Sequence, residues 1–125
     1  AVYYGSYSSA RGDDPRPAIA EFLERFKARN DGEPPASGGL AVSGYSAVYA
    51  WARAAERAGS VEPDAVMAEL EKFDAEPLLV GPTTFTPDLH INTSRATLIV
   101  GYEGGEPTPL GYYDPAAGGY VEWWN

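Results

Sequence analysis

The sequence predicts an α/β fold in which helical segments come first and strands follow. Apolar residues at Ile19, Phe22, Leu23 and Phe26 have the i, i+3, i+4, i+7 spacing of one helix face. From Pro77 onward, short runs of β-branched and aromatic residues are separated by turns that contain Gly and Pro, a pattern typical of strands. The 125 residues are enough for one core of ordinary domain size.

The N-terminal part predicts a strand and then a helix. The tyrosine-rich segment Val2–Tyr7 is the candidate strand, and a turn rich in Ser, Asp and Pro follows it. Asp13 or Asp14 can cap the first helix, which we expect to run to about Arg29. The sequence NDGEPPASGG then forms a loop.

Two further helices are predicted in the middle of the chain. The first runs from about Leu40 to Ala58, where Gly59 can adopt the left-handed conformation that ends a helix. Its many alanines suit close packing against a flat partner such as a sheet. The next helix has Pro63 in its first turn and forms an antiparallel hairpin with its predecessor. Its inward residues are expected to be Val66, Met67, Leu70 and Phe73.

The C-terminal part predicts strands in the segments LLVGPTTF, RATLIVGY and PLGYY. Gly104 and Gly105 are expected to form a hairpin turn between the second and third of these strands. The final segment GGYVEWWN is expected to pack as an edge strand.

Composition excludes several functions. Asp and Glu number 18 against 9 Lys and Arg, so the net charge of −9 disfavours binding to nucleic acid or to an anionic membrane. The absence of cysteine excludes a disulfide, a thiolate metal site and a cysteine nucleophile. No apolar run reaches the roughly 18 residues of a membrane helix. No Gly-rich nucleotide-binding motif occurs, and no cofactor is expected.

Catalytic and metal sites are not predicted. His90 lies near Asp88, but a second histidine and a nucleophilic serine motif are both missing, so a structural or solvent-facing loop histidine is favoured. Acidic residues are plentiful, and almost all are expected on solvated helix faces or in turns.

The order of motifs resembles the C-terminal third of the branched-chain amino acid and amide class of ABC transporter substrate-binding proteins, the type I periplasmic binding proteins. The segment Gly44–Ala47 resembles the family's GYDA motif, with Ser46 in place of aspartate. Gly81–Phe85, followed by Asp88 and His90, resembles its GPxxFD…GH motif, with Leu89 in place of the second glycine. The resemblance covers about residues 2–113.

The resemblance implies part of a two-lobed fold with helices packed on a mainly parallel sheet. Residues 1–125 would be one C-terminal segment, in which about 1–80 lie mostly in one lobe and 81–125 form the hinge crossover and final strands. One ligand contact in this family comes from the loop before the GYDA helix. The matching positions are Leu40 and Ala41, with Tyr45 as a neighbour, and Leu40 would offer apolar contact to a ligand side chain.

The function implied by the resemblance is non-enzymatic. The protein would be the extracytoplasmic solute-binding component of an ABC importer, holding an amino acid or amide between its two lobes. Its partners would be the small-molecule ligand, the permease subunits and the remainder of the binding protein. The location would be periplasmic or extracellular, with membrane anchoring through a missing N-terminal part as one option.

Three alternatives stay open at this point. One is a ligand-sensing receptor domain with the same fold. Another is a small self-contained α+β enzyme that uses acidic residues, for which Asp88 would be the residue to substitute. A third is an acidic interaction module that responds to no small molecule.

Overall fold

The computed structural model of the chain describes residues 2–3, 16–92, 95–114 and 117–122. Three helices and six strands occur there in the order β1 (Val2–Tyr3), α1 (Pro17–Ala28), α2 (Gly38–Ala58), α3 (Pro63–Leu70), β2 (Glu76–Leu78), β3 (Gly81–Thr83), β4 (Thr97–Glu103), β5 (Glu106–Asp114) and β6 (Gly119–Glu122). The chain divides into two compact units: Ala1–Ser43 with Ala96–Asn125, and Gly44–Arg95.

The first unit contains a four-stranded sheet in the order β1-β4-β5-β6. The predicted turn between β4 and β5 is confirmed, because Gly104 and Gly105 have φ angles of 59° and 87° and connect the paired residues Glu103 and Glu106. Two consecutive positive φ values match the twist of a tight hairpin and favour glycine. The predicted C-terminal edge strand is also confirmed as β6, and residues 123–125 lie outside the described residues.

The core of the first unit includes the stripe that periodicity predicted on α1. Ile19 and Leu23 are buried there, and Phe22 and Phe26 are half-buried. Leu98 and Val100, both on β4, are buried as well. Only Val2–Tyr3 of the predicted strand Val2–Tyr7 is described, and the predicted caps Asp13 and Asp14 lie outside the described residues.

The core of the second unit is a cluster formed by α2, α3 and the segment that follows them. Ala50 and Ala54 on α2 cluster with Val66 on α3 and with Phe73. The ring of Phe73 stacks on Phe85 with centroids 6.4 Å apart. Small side chains on the buried side of α2 therefore leave room for aromatic residues contributed by the rest of the unit.

The third helix is shorter than its predicted inward residues implied, and one of those residues is wrong. Phe73 faces inward as predicted, but the helix ends at Leu70, so it reaches the core from the segment after the helix. Met67, expected to face inward, is 43% exposed. The apolar spacing continues from Leu70 to Phe73, although the helix ends at Leu70. Periodicity alone therefore cannot locate the end of this helix.

The predicted single strand LLVGPTTF is also wrong. The structure forms a tight antiparallel hairpin there, in which β2 and β3 are joined by Leu79–Val80. Gly81 has a φ of 113°, which favours glycine. Pro77 lies opposite Pro82, and because neither has an N–H, this pair takes a position without ladder hydrogen bonds.

The mixed helix and strand composition agrees with the predicted α/β fold, but the expected mainly parallel sheet is not what these strands form. Every strand pair within the described ranges is antiparallel. For three of the four pairs the reason is connectivity: β2 to β3, β4 to β5 and β5 to β6 are joined by short loops, whereas parallel neighbours need a crossover of a dozen or more residues. Loop length does not account for the antiparallel pairing of β1 with β4, which lie far apart in the sequence. In the same part of the chain, no helix has both the length and the apolar character that crossing a bilayer requires.

Candidate ligand-contact region

Leu40 and Ala41 lie in the first turn of α2, within the first unit. The helix begins at Gly38, two residues earlier than predicted, because Ser37 caps it. The Ser37 Oγ accepts a hydrogen bond from the Leu40 N–H at 3.4 Å, and the Ser37 carbonyl accepts one from the Ala41 N–H at 3.0 Å. Ala41 is half-buried, and Leu40 is 72% exposed. The Leu40 side chain is therefore available for contact.

Tyr45 lies further along α2, in the second unit. Its ring stacks on Tyr49 with centroids 5.8 Å apart and planes 13° apart, and 43% of the residue is exposed. The Arg53 guanidinium carbon lies 5.6 Å from the centroid of the Tyr49 ring, a cation–π distance. Leu40 and Ala41 therefore lie together in the first unit, whereas Tyr45 belongs to the second. A ligand role for these three residues stays a prediction.

Ser46 has a structural role that the motif comparison did not reveal. The residue is 3% exposed, and its Oγ accepts a hydrogen bond from the Val80 N–H at 3.0 Å. Val80 is in the turn between β2 and β3, so this bond fixes the hairpin to α2. The hydroxyl satisfies a backbone donor that would otherwise lose a partner.

A buried carboxylate, Glu76, is the main feature that sequence reasoning missed. Its side chain is 8% exposed, forms an ion pair with Arg53 Nε at 3.0 Å, and accepts hydrogen bonds from Arg57 Nη2 at 2.8 and 3.0 Å. Glu76 is therefore an exception to the expectation that almost all acidic residues lie on solvated helix faces or in turns. The available signal was the spacing of Arg53 and Arg57, four residues apart and so on one side of α2.

The Arg53–Glu76–Arg57 cluster is a clamp between α2 and β2. A buried carboxylate needs its charge paired and its oxygens hydrogen-bonded, and two guanidinium groups provide both. The Arg57 guanidinium carbon also lies 5.3 Å from the centroid of the Phe73 ring, which extends the clamp to the core cluster. These contacts can hold the hairpin against the helix, because guanidinium groups engage both carboxylate oxygens of Glu76.

His90 contacts the Glu71 side chain. Its Nε2 lies 3.0 Å from Glu71 Oε1, which joins the loop after β3 to the end of α3. The same loop is closed by reciprocal backbone hydrogen bonds between Thr86 and Leu89. This arrangement agrees with a structural loop histidine. Across the part of the chain that the structure describes, no three residues among His, Cys, Asp and Glu are grouped so that they could hold a metal ion.

Comparisons with known proteins give a consistent result. The sequence model of a family described as "Periplasmic binding protein" matches residues 2–106. Among solved structures, the leucine binding protein LivK from Thermotoga maritima MSB8 has a similar fold, with a TM-score of 0.64 and 20% sequence identity. The match covers 90% of this chain and 30% of that protein. A comparison with curated proteins gave no match.

The family match and the structural likeness agree on the fold that the motif order implied. At 20% identity the likeness to LivK shows the fold alone, but the family model extends over most of the sequence. Members of this family are binding proteins of the extracytoplasmic space. This chain belongs to the periplasmic binding protein family.

Proposed function

We propose that the chain is part of the solute-binding component of an ABC importer and that the whole protein binds an amino acid or a related amide. The observation that carries this proposal is the family match over residues 2–106. The solved relative with the similar fold is described as a leucine binding protein, which favours a branched-chain amino acid as the first ligand class to test.

Closure of two lobes on the ligand is the mechanism that we propose for the whole protein. The family match over residues 2–106 and the order of motifs support it, because both relate the chain to two-lobed binding proteins. We propose in the same way that residues 1–80 lie mostly in one lobe and that 81–125 form the hinge crossover and final strands.

Leu40 is the residue that we propose as a contact to the ligand side chain, with Ala41 beside it and Tyr45 as a further contact. Exposure supports the choice, because an apolar residue that is 72% exposed can gain contact area when a ligand arrives. The Ser37 cap holds the first turn of α2, so the position of Leu40 is set before binding.

The proposed partners follow from the same role. They are the small-molecule ligand, the permease subunits and the remainder of the binding protein. A net charge of −9 disfavours nucleic acid as a partner. The proposed location is the periplasm or the cell exterior, with a membrane anchor elsewhere in the protein as one arrangement. We propose no enzymatic activity, and the Arg53–Glu76–Arg57 clamp is assigned to stability.

A thermal-shift screen of the protein that carries this sequence tests the proposal. Amino acids and simple amides are added singly, and we expect one chemical class to raise the melting temperature, since a ligand at about 100 times its dissociation constant stabilises by roughly 2.7 kcal/mol. Failure of every amino acid and amide to stabilise the folded protein would contradict the proposed function.

Leu40→Ser provides the residue-level test. We expect the dissociation constant of the identified ligand to rise by about 3- to 30-fold, because burial of a few methylene-sized groups is lost. Ile91→Ser is the matched control, since Ile91 is also an exposed apolar residue, at 67%, and lies in the loop after β3. Equal effects of the two substitutions would remove Leu40 from the proposed site.

A further inference from the structure

We propose that Arg53 is a positioning residue, which couples the β2–β3 hairpin to the stacked rings of Tyr45 and Tyr49 and thereby sets the orientation of the Tyr45 ring. This inference rests on the proposed function, in which Tyr45 contacts the ligand. It adds a residue that acts on ligand binding through another side chain. The side chains involved all belong to the second unit.

The residues that connect the hairpin to Tyr45 form one row along α2. The row consists of Tyr45, Tyr49, Arg53 and Arg57. Side chains four residues apart are neighbours on a helix surface, and each step of four turns the row by about 40° around the helix axis. The row therefore runs from Tyr45, which is 43% exposed, to the arginines that pair with the buried carboxylate of Glu76.

The Arg53 guanidinium contacts Glu76 and Tyr49 with different atoms. Its Nε lies 3.0 Å from Oε1 of Glu76, on strand β2. Its Nη1 lies 3.5 Å from the hydroxyl oxygen of Tyr49, and its central carbon lies 5.6 Å from the centroid of the Tyr49 ring. A guanidinium group is planar and rigid, so an anchor at one nitrogen restricts where the other two lie. The carboxylate on the hairpin therefore restricts the position of the charge beside the Tyr49 ring.

The Tyr49 ring extends this restriction to Tyr45. The two rings are stacked, with centroids 5.8 Å apart and planes 13° apart. A contact between a cation and a ring, or between two rings, favours the rotamers that make it by about two- to ten-fold. A ligand that contacts Tyr45 would then meet a ring that is already oriented, which lowers the entropy lost on binding.

Arg57 offers an internal comparison, because it binds the same carboxylate but contacts a different ring. Its Nη2 lies 2.8 and 3.0 Å from the two oxygens of Glu76. Its side chain is 39% exposed, close to the 32% of Arg53. Its guanidinium carbon lies 5.3 Å from the centroid of the Phe73 ring, in the core cluster. An effect common to both arginines therefore measures the clamp, and an effect specific to Arg53 measures positioning.

NMR of the ligand-free protein that carries this sequence, with labelled tyrosine and phenylalanine rings, tests the positioning. The signals are assigned by single substitutions of the labelled residues. Arg53→Lys keeps the positive charge and replaces the planar group with a flexible ammonium. We expect this variant to shift the ring signals of Tyr45 and Tyr49 and to leave those of Phe73 in place.

Arg57→Lys is the matched control and should give the opposite pattern. We expect it to shift the Phe73 signals and to leave those of Tyr45 unchanged, while the remaining ring signals show that both variants are folded. Unmoved Tyr45 signals in Arg53→Lys, or equal shifts of these signals in the two variants, would overturn the positioning role.

Titration with the ligand identified by the thermal-shift screen tests the consequence for binding. We expect Arg53→Lys to raise the dissociation constant by about two- to five-fold, the size of one exposed cation–π contact, and Arg57→Lys to leave it nearly unchanged. In a Tyr49→Leu background, Arg53→Lys should have no further effect, because the ring through which it acts is absent. Equal effects of the two lysine variants, or an undiminished effect in the Tyr49→Leu background, would overturn the proposal.

Tyr45→Ala separates this inference from the ligand contact on which it rests. We expect its dissociation constant to rise by more than that of Arg53→Lys, because the oriented ring is removed entirely. An unchanged dissociation constant in Tyr45→Ala would remove Tyr45 from the ligand site and overturn the binding part of the proposal. The NMR comparison without ligand would still decide whether Arg53 orients the ring.

Discussion

At the scale of single residues, the Arg53–Glu76–Arg57 clamp is the most consequential contact in the second unit. Glu76 is almost fully buried, while about a third of each arginine side chain remains exposed. If the carboxylate charge is removed, water can partly rehydrate the two guanidinium groups. This limits the loss in the free energy of unfolding.

Glu76→Gln is expected to lower the free energy of unfolding by about 1–2 kcal/mol, because two charge-assisted interactions are weakened at a buried position. Urea unfolding at 25 °C measures the change. Glu56→Gln on the exposed side of α2 is the control and should shift stability by less than about 0.5 kcal/mol. Equal effects at the two positions would show that the clamp contributes little.

Periodicity predicted individual buried residues where the helix is regular. It identified Ile19 and Leu23 on α1 and Val66 on α3, all of which are buried. It could not identify Glu76, because a buried acid is specified by partners distant in sequence and not by local spacing. The role of Ser46 was hidden for the same reason, since its partner Val80 is 34 residues away.

At the scale of elements, the β2–β3 hairpin depends on one glycine. Gly81 combines a φ of 113° with a position beside Arg95, whose Cγ would lie 3.5 Å from an added Cβ. The contact distance is ordinary, so the backbone angle is the main obstacle to any other residue.

The same substitution at two glycines should therefore have opposite effects. Gly81→Ala is expected to destabilise by about 1–2 kcal/mol through backbone strain. Gly44→Ala, in the interior of α2 with open space around it, is expected to stabilise by about 0.5–1 kcal/mol. Thermal and urea unfolding of the two variants at low protein concentration measure the sign of each change in stability. Destabilisation of similar size at both positions would contradict the claim that backbone strain is specific to Gly81.

Sequence patterns located most elements but not all of their ends. The β4–β5 turn followed from two adjacent glycines, and α2 ends at Ala58 with Gly59 at a φ of 61°, as predicted. The LLVGPTTF segment misled because a run of apolar residues fits one strand as well as a tight hairpin. The antiparallel pairing of β2 with β3, which the structure shows, distinguishes a hairpin from a single strand.

At the scale of the whole molecule, the order of motifs carried more information than any single motif. It predicted the family that the match over residues 2–106 shows, although Ser46 and Leu89 depart from the family pattern. The expected parallel sheet was not found among the described strands: three of their four pairs are joined by short loops, and β1 is antiparallel to β4 across a long connection. The ligand contacts at Leu40, Ala41 and Tyr45 rest on the resemblance and on exposure.

The intact denatured mass of the native protein that carries this sequence tests the central claim most directly. The chain has a mass of 13.4 kDa and spans 30% of the solved relative, so membership in a two-lobed solute-binding protein predicts a native mass well above that value. A native mass equal to 13.4 kDa would contradict the two-lobe mechanism and with it the proposed role in solute binding between lobes.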